Sequence, residues 1–267
     1  MRSNLLVIRP THNQSAKNKL FCLKPRFMAA ITVAALASLS PAQAKTLFTD
    51  TSVTVLYGDD YELVEDGKLT TITLEHASTH DWGGVFFFVD RHNGEDNDEG
   101  RSFKETYGEL APKFKIASFD DSFIKQVNFA TQYEFGSNSG GFSQDNILVG
   151  VGVDLDVPIP GMKYASASLY HAFNDDTFST TDDQQITLTY GWEKNNFVVD
   201  GYVDYSFNND DKADQLHINP QLKYNLQEVL GIDNRIEVGL EYSYWKNKFG
   251  VDGVNQSVPS ALVKFHF

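Results

Sequence analysis

The stretch DWGGVFFFVDRHNGEDNDEG, Asp81 to Gly100, sets five apolar residues, Val85 to Val89, between a glycine pair and a run of acids. A strand this apolar on both faces needs a special setting in an acidic chain. The whole sequence has 267 residues, with 22 Lys+Arg against 36 Asp+Glu, a length that suits one domain or two small ones. The setting of Val85–Val89 depends on what surrounds it along the chain.

The first 44 residues read as a leader rather than as part of that fold. Arg2, Arg9, Lys17, Lys19, Lys24 and Arg26 form a basic region, Phe27 to Ala37 is apolar, and the segment ends SPAQA at Ala44. This is the order of a secretory signal peptide with a small-x-small cleavage site, and its apolar run is too short to span a bilayer as a helix. Residues 1–44 are therefore expected to be removed, leaving 45–267 as the folded part. Six of the bases and none of the acids lie before Lys45, so residues 45–267 carry a formal charge of −20. Such a charge argues against nucleic acid as a partner. The single cysteine, Cys22, lies in the leader, so no disulfide or thiolate chemistry is expected of 45–267.

Beyond Thr51 the dominant signal is alternation. Ile147, Val149, Val151, Val153 and Leu155 alternate with more polar positions, apart from Leu148. Ile186, Leu188, Tyr190 and Trp192 behave in the same way, as do Phe197 to Phe207, Leu216 to Leu226 and Ile236 to Tyr244. Period two is the mark of strands with one apolar and one polar face. Turn-type clusters such as SNSGG, EKNN, FNNDDKAD and GIDN separate them. Twelve strands are expected, at about 51–57, 69–78, 84–91, 101–117, 123–136, 145–156, 163–173, 184–193, 196–207, 214–226, 234–246 and 257–267. Several are longer than the usual strand of a soluble sheet and match a tilted membrane crossing.

Alternation alone fits a soluble sandwich or lipocalin-like barrel as well as an outer-membrane barrel. Three features favour the membrane. Aromatics such as Tyr190 and Trp192, Tyr205 and Phe207, and Tyr242 and Tyr244 cluster toward strand ends on the apolar face. The polar faces are rich in Gly, Ser, Thr, Asn and Gln. The sequence finishes on Ala261, Val263, Phe265 and Phe267 in the apolar phase, and Phe265 and Phe267 are read as an assembly signal. The expected fold is an all-β, antiparallel up-and-down transmembrane barrel of about 12 strands.

SVTVLYG (Ser52–Gly58), LTTITLEHAS (Leu69–Ser78), DWGGVFFFVDR and ALVKFHF, together with the leader, resemble the Tsx/OmpK-type family of nucleoside-specific outer-membrane channels. The similarity runs over essentially all of 45–267 and is most distinctive up to YGELAPKF (Tyr107–Phe114). It implies a twelve-stranded barrel in the outer membrane of a Gram-negative bacterium that passes nucleosides or similar small neutral or cationic solutes. It also implies surrounding lipid and lipopolysaccharide, insertion by the barrel assembly machinery, and use as a bacteriophage receptor. One departure stands out: Gly84 occupies the position where the family often carries Asp.

With Val85, Phe87 and Val89 facing lipid, Phe86, Phe88 and Asp90 face the lumen, where rings and a carboxylate suit a flat solute. A packing role for the two rings fits the sequence about as well. In-phase Glu75, Glu105 and Tyr107, then Tyr202, Asp204, Arg235 and Glu241, extend the expected lining. Acids outnumber bases in this set, which disfavours anions, and pairs of the Arg235–Glu241 kind are expected to steady the wall.

A barrel phospholipase is the alternative of a different class. It needs Ser and His oriented by an acid or amide on the lipid side; His76 is a candidate there, without a serine in a nucleophile context, while His217 is expected inside. No catalytic role, cofactor or metal is assigned. GEDNDEG and FNNDDKAD lack EF-hand spacing and read as solvated turns rather than Ca²⁺ sites. A receptor or adhesion role needs reach from loops, which the sequence offers at about 92–100, 137–144, 174–183 and 246–257.

Overall fold

The computed structural model describes residues 44–96 and 102–267. The expected leader, Ala44 apart, lies outside the described residues, as does most of the acidic run before Gly100. Twelve strands follow one another: β1 (Thr46–Gly58), β2 (Leu69–His80), β3 (Gly83–Asp96), β4 (Ser102–Ser118), β5 (Ile124–Asn138), β6 (Ser143–Leu155), β7 (Met162–Phe173), β8 (Asp183–Lys194), β9 (Phe197–Phe207), β10 (Gln215–Asn225), β11 (Ile236–Lys246) and β12 (Gln256–His266). Each pairs antiparallel with the next, and β12 returns to β1, closing the sheet into a barrel. Closure removes both free edges, so backbone donors and acceptors along the wall find partners in neighbouring strands.

Local chemistry explains the tight connections. Lys194 pairs with Phe197 across Asn195 and Asn196, which have φ of 53° and 65°. Two successive left-handed residues make the hairpin turn whose twist matches the strands, and asparagine tolerates that conformation. Asp81–Trp82 joins β2 to β3 between the paired His80 and Gly83. Gly83 has φ of 148°, and a Cβ there would sit 2.0 Å from Lys113 O, so only glycine fits. The run that opens DWGGVFFFVDR is therefore a close backbone approach before the strand straightens.

The wall is apolar outside and polar inside. Val55, Ile72, Leu74, Phe129, Val151, Leu169, Leu188, Leu222, Leu240 and Val263 are exposed. Ser52, Thr54, Asn128, Gln132, Asn146, Gln185, Lys223, Asn225, Glu237 and Lys264 are buried. Leu148, the residue that interrupts the polar phase of β6, belongs inside, packed with Ala130, Tyr170 and Ala172. At one rim His80 stacks on Trp82 with ring centroids 5.1 Å apart, and Trp82, Phe114 and Phe129 continue the row.

The two rims differ. The termini, the tight turns at 81–82 and 195–196, the connections at 119–123 and 156–161, and a short helix α1 (Gln227–Leu230) lie at one, here the terminus side. The other, the loop side, carries 59–68, 139–142, 174–182, 208–214 and 247–255. The expected loop at 92–100 begins later, because β3 continues to Asp96. Residues 59–68 and 208–214 join the loops named from the sequence.

Candidate functional site

Glu75, Phe86, Phe88, Asp90, Glu105, Tyr107, Tyr202, Asp204 and Glu241 lie in strands and Arg235 just before β11, and the polar interior falls into zones along the barrel. The terminus-side zone is one of ion pairs. Lys113 Nζ lies 2.6 Å from Asp154 Oδ1, and Lys264 Nζ lies 2.7 Å from Glu75 Oε1. Lys223 Nζ stands between Asp200 Oδ2 at 2.7 Å and Glu237 Oε2 at 3.2 Å. Arg235 pairs with Glu237 at 2.6 Å and with Glu193 at 3.3 Å. This corrects the Arg235–Glu241 pairing: Arg235 precedes β11 at the rim, whereas Glu241 lies in mid-strand and accepts from Gln221 Nε2 at 2.8 Å.

The middle zone holds Asp90, Glu109, Glu134, Asp204 and Glu241, and its hydrogen-bond donors are neutral. Thr73 Oγ1 donates to Asp90 at 2.5 Å, Tyr107 OH to Glu109 at 2.5 Å, and Thr187 Oγ1 to Asp204 at 2.6 Å. Glu134 accepts from Gln132 at 2.9 Å and from Asn146 at 3.2 Å. Glu109 on β4 feels the charges of Glu134, Asp90 and Asp204, and Asp204 stands on β9, nearly opposite in a twelve-strand ring. Neutral donors hold these carboxyl groups in place, and no Lys or Arg among the described residues pairs with them, so the zone is a crowded, hydrogen-bonded acidic lining that disfavours anions.

Aromatic rings line part of the same interior. Phe86 and Phe88 have centroids 5.9 Å apart, and Phe88 meets Tyr107 edge-on at 5.7 Å. Phe88 is only 9% exposed, while Phe86 is 38% exposed. The difference follows from register: Phe86 stands between Ala77 and Ala111, and Phe88 between Glu75 and Glu109. The ring with an open face is therefore Phe86, and Phe88 is packing. Tyr164, 51% exposed, covers Gly191 on the inward face of β8. Tyr202 is engaged: its hydroxyl is 3.2 Å from His217 Nδ1 and its ring meets that imidazole edge-on.

The loop-side zone adds His92, Trp245, Lys248, Lys212 and Tyr61, which the sequence reading did not single out, to His217, which it expected inside. His92 is held by Thr71 Oγ1 at 2.7 Å and lies 3.9 Å from Glu105. His217 stacks on Trp245 with centroids 3.7 Å apart. Lys248, within a 3-10 turn at Lys248–Gly250, points inward, and Lys212 pairs with Asp176. Tyr61 OH lies 2.6 Å from Ser260 Oγ; burial, with the charges of Glu241 and Asp90, pushes its phenol up to about 12. Alternation reaches strands only, and the loop residues Tyr61, Lys212 and Lys248 carry no such signal.

Outside the wall, His76 Nδ1 is 2.8 Å from Thr51 Oγ1. His80 lies 3.1 Å from Ser78 Oγ and 3.3 Å from Thr46 Oγ1, an arrangement in which a hydroxyl rather than a carboxylate sits on the far ring nitrogen. Phe265 and Phe267 are exposed, and the Phe267 N–H donates to Thr51 O at 2.9 Å.

Residues 54–267 match the family described as a domain of unknown function, DUF5020, and the chain belongs to that family. No curated protein matches it. Among solved structures, outer membrane phospholipase A from Escherichia coli aligns with a TM-score of 0.48 at 10% identity, covering 84% of this chain and 92% of that one. The KdgM porin in complex with disordered oligogalacturonate gives 0.46 at 10%, covering 81% and 99%. The translocator domain of the autotransporter NalP from Neisseria meningitidis gives 0.43 at 12%, covering 91% and 95%. The barrel rests on the closed ladder of strand pairs, independently of these likenesses.

Proposed function

We propose that the protein is an outer-membrane channel for small neutral or cationic solutes, with nucleosides as the favoured class. The observation that carries this reading is the inversion of the wall: apolar side chains face outward on strand after strand, and a carboxylate-rich polar lining faces inward. An exposed apolar belt of that extent suits hydrocarbon rather than water. The lining suits passage, because it is acidic and hydrogen-bonded and its open rings, Phe86 and Tyr164, offer flat faces of low affinity. A solute held weakly at several places leaves as readily as it enters.

Nucleosides fit that lining through stacking on Phe86 and ribose hydroxyls donating to Asp90 or Glu75. Phe265 and Phe267, on the outward face beside the β1–β12 junction, take the role of assembly signal in this reading. Catalysis has no part in it, since the Ser78–His80 contact lacks an orienting acid. The test is reconstitution of the purified chain in planar bilayers, with current block by a nucleoside compared with an equal-sized sugar. Equal block by both would leave a general narrow pore; absence of current at every voltage and salt would overturn the channel reading.

A further inference from the structure

Lys248 is a buried ammonium at the loop-side mouth, and its surroundings are unusual for one. The side chain is 7% exposed. Its Nζ donates to Glu62 O at 3.1 Å and to Gln256 Oε1 at 2.5 Å, both uncharged oxygens, and it forms no ion pair with a carboxylate among the described residues. Its charge nevertheless acts on Glu105 of β4, His92 of β3 and His217 of β10. β3 and β4 are neighbours and β10 lies beyond β2, β1, β12 and β11, so the ammonium, tethered to Gln256 of β12 and to the β1–β2 loop, sits on the arc between them with its charge reaching both ways over the mouth.

The backbone that delivers it is held from several sides. Asn247 and Phe249, on either side of Lys248, have φ of 52° and 57°; asparagine tolerates this conformation, whereas phenylalanine adopts it only when its surroundings impose it. The Lys248 N–H donates to Val254 O at 2.7 Å, and the Ala213 N–H donates to Gly250 O at 2.9 Å. The Phe249 ring lies 5.4 Å from Trp245 and 6.1 Å from Phe142. Below this loop the middle zone contains carboxyl groups held by neutral donors, and the inward-facing bases Lys113, Lys223 and Lys264 stand toward the opposite rim.

We propose that Lys248 is the residue that sets ion preference at this mouth: a tethered ammonium standing where an entering cation must pass. The assignment rests on the channel reading. An alkali ion or small protonated amine then competes with Nζ for Glu62 O, Gln256 Oε1 and the charge of Glu105. Anions gain nothing from the lysine, because the carboxylates beneath it repel them. The lysine thereby lowers cation entry without making the pore anion-selective.

The full chain reconstituted in planar bilayers under a KCl gradient tests this through single-channel conductance and reversal potential. Lys248→Gln should raise K⁺ conductance roughly tenfold, the low end of what charge focusing gives, and shift the reversal potential toward K⁺. Lys248→Arg should stay close to the parent in selectivity, and Glu105→Gln should reduce K⁺ preference. A merely structural lysine predicts that glutamine and arginine variants alter heat stability in detergent and leave the reversal potential where it was; that result overturns the proposal while the channel reading stands. If parent and variants alike carry no current, the channel reading falls and takes the proposal with it.

Discussion

Arg235 Nη1 lies 3.3 Å from Glu193 Oε2, although β9 and β10 stand between the strands that these residues flank and end. The contact is a chord across the terminus-side opening, and the same guanidinium also grips Glu237. Cutting a chord widens the opening it crosses. Arg235→Ala should raise single-channel conductance and weaken discrimination between small and larger neutral solutes. An unchanged conductance with altered heat stability would place the constriction elsewhere.

Lys223 and Glu237, 1% and 0% exposed as side chains, form the most buried charge pair among the described residues. Removing one partner of such a pair leaves the other uncompensated, at a typical cost of about 3–5 kcal/mol, whereas replacing both with apolar residues is often close to neutral. Lys223→Met should therefore destabilise the barrel strongly, and Lys223→Met with Glu237→Leu should recover part of the loss, Arg235 and His266 still facing the altered site. Urea titrations in detergent, followed by the mobility of unboiled protein, measure both. Equal losses in single and double variants would contradict the coupling.

Phe86 and Phe88 should separate in function as they do in packing. Phe86→Ala should weaken nucleoside block by about 1–3 kcal/mol, the usual worth of one base on one ring, or roughly tenfold to a hundredfold in affinity. Phe88→Ala should act mainly on barrel stability, since its ring fills the space between Phe86 and Tyr107. The measurement is nucleoside block beside an equal-sized sugar in each variant; a larger nucleoside-specific loss for Phe88 than for Phe86 would reverse the assignment.

The loop-side mouth should respond to pH through Lys248. Burial pushes its ammonium down to about 8, well below the ordinary lysine value, despite the opposing charges of Glu105 and Glu62. A seated lysine thus binds its proton less tightly than a released one. The seated loop carries that penalty in full below pH 8 and is relieved of it as pH rises toward 10.5. As pH rises through about 8 the seated lysine loses the charge that opposes cation entry, so K⁺ conductance should rise across this window. His92, His217, Glu105, Glu62 and Tyr61 face the same region, so Lys248→Gln is the control, and its conductance should be flat from pH 8 to 10.5.

Alternation made the wall legible in the sequence because a strand turns every second side chain to the same face, and Phe86, Asp90, Tyr202 and Glu241 were placed inward on that ground. What alternation does not contain is register. Phe86 is open because its neighbours are Ala77 and Ala111, and Phe88 is packed because Glu75 and Glu109 flank it; both facts depend on how β2, β3 and β4 slide against one another. Glu109 and Asp204 interact only because the ring closes. Arg235 and Glu241 share a phase yet stand at different heights, so sequence phase could not tell which acid the arginine grips. Lys248 lies on a loop, where the fold rather than any period sets direction.

The junction of β1 and β12 runs from Ser52–His266 to Gly58–Ser260, whereas β1 pairs with β2 from Thr46–His80 to Gly58–Leu69. Thr46 to Asp50 are thus zipped on one side only. A cylinder opens where its shortest ladder lies, so transient unzipping should begin at this seam, and its amides should exchange with solvent sooner than those between β4 and β5. The same seam is the natural last step of closure during folding, when the two ends of the sheet find each other.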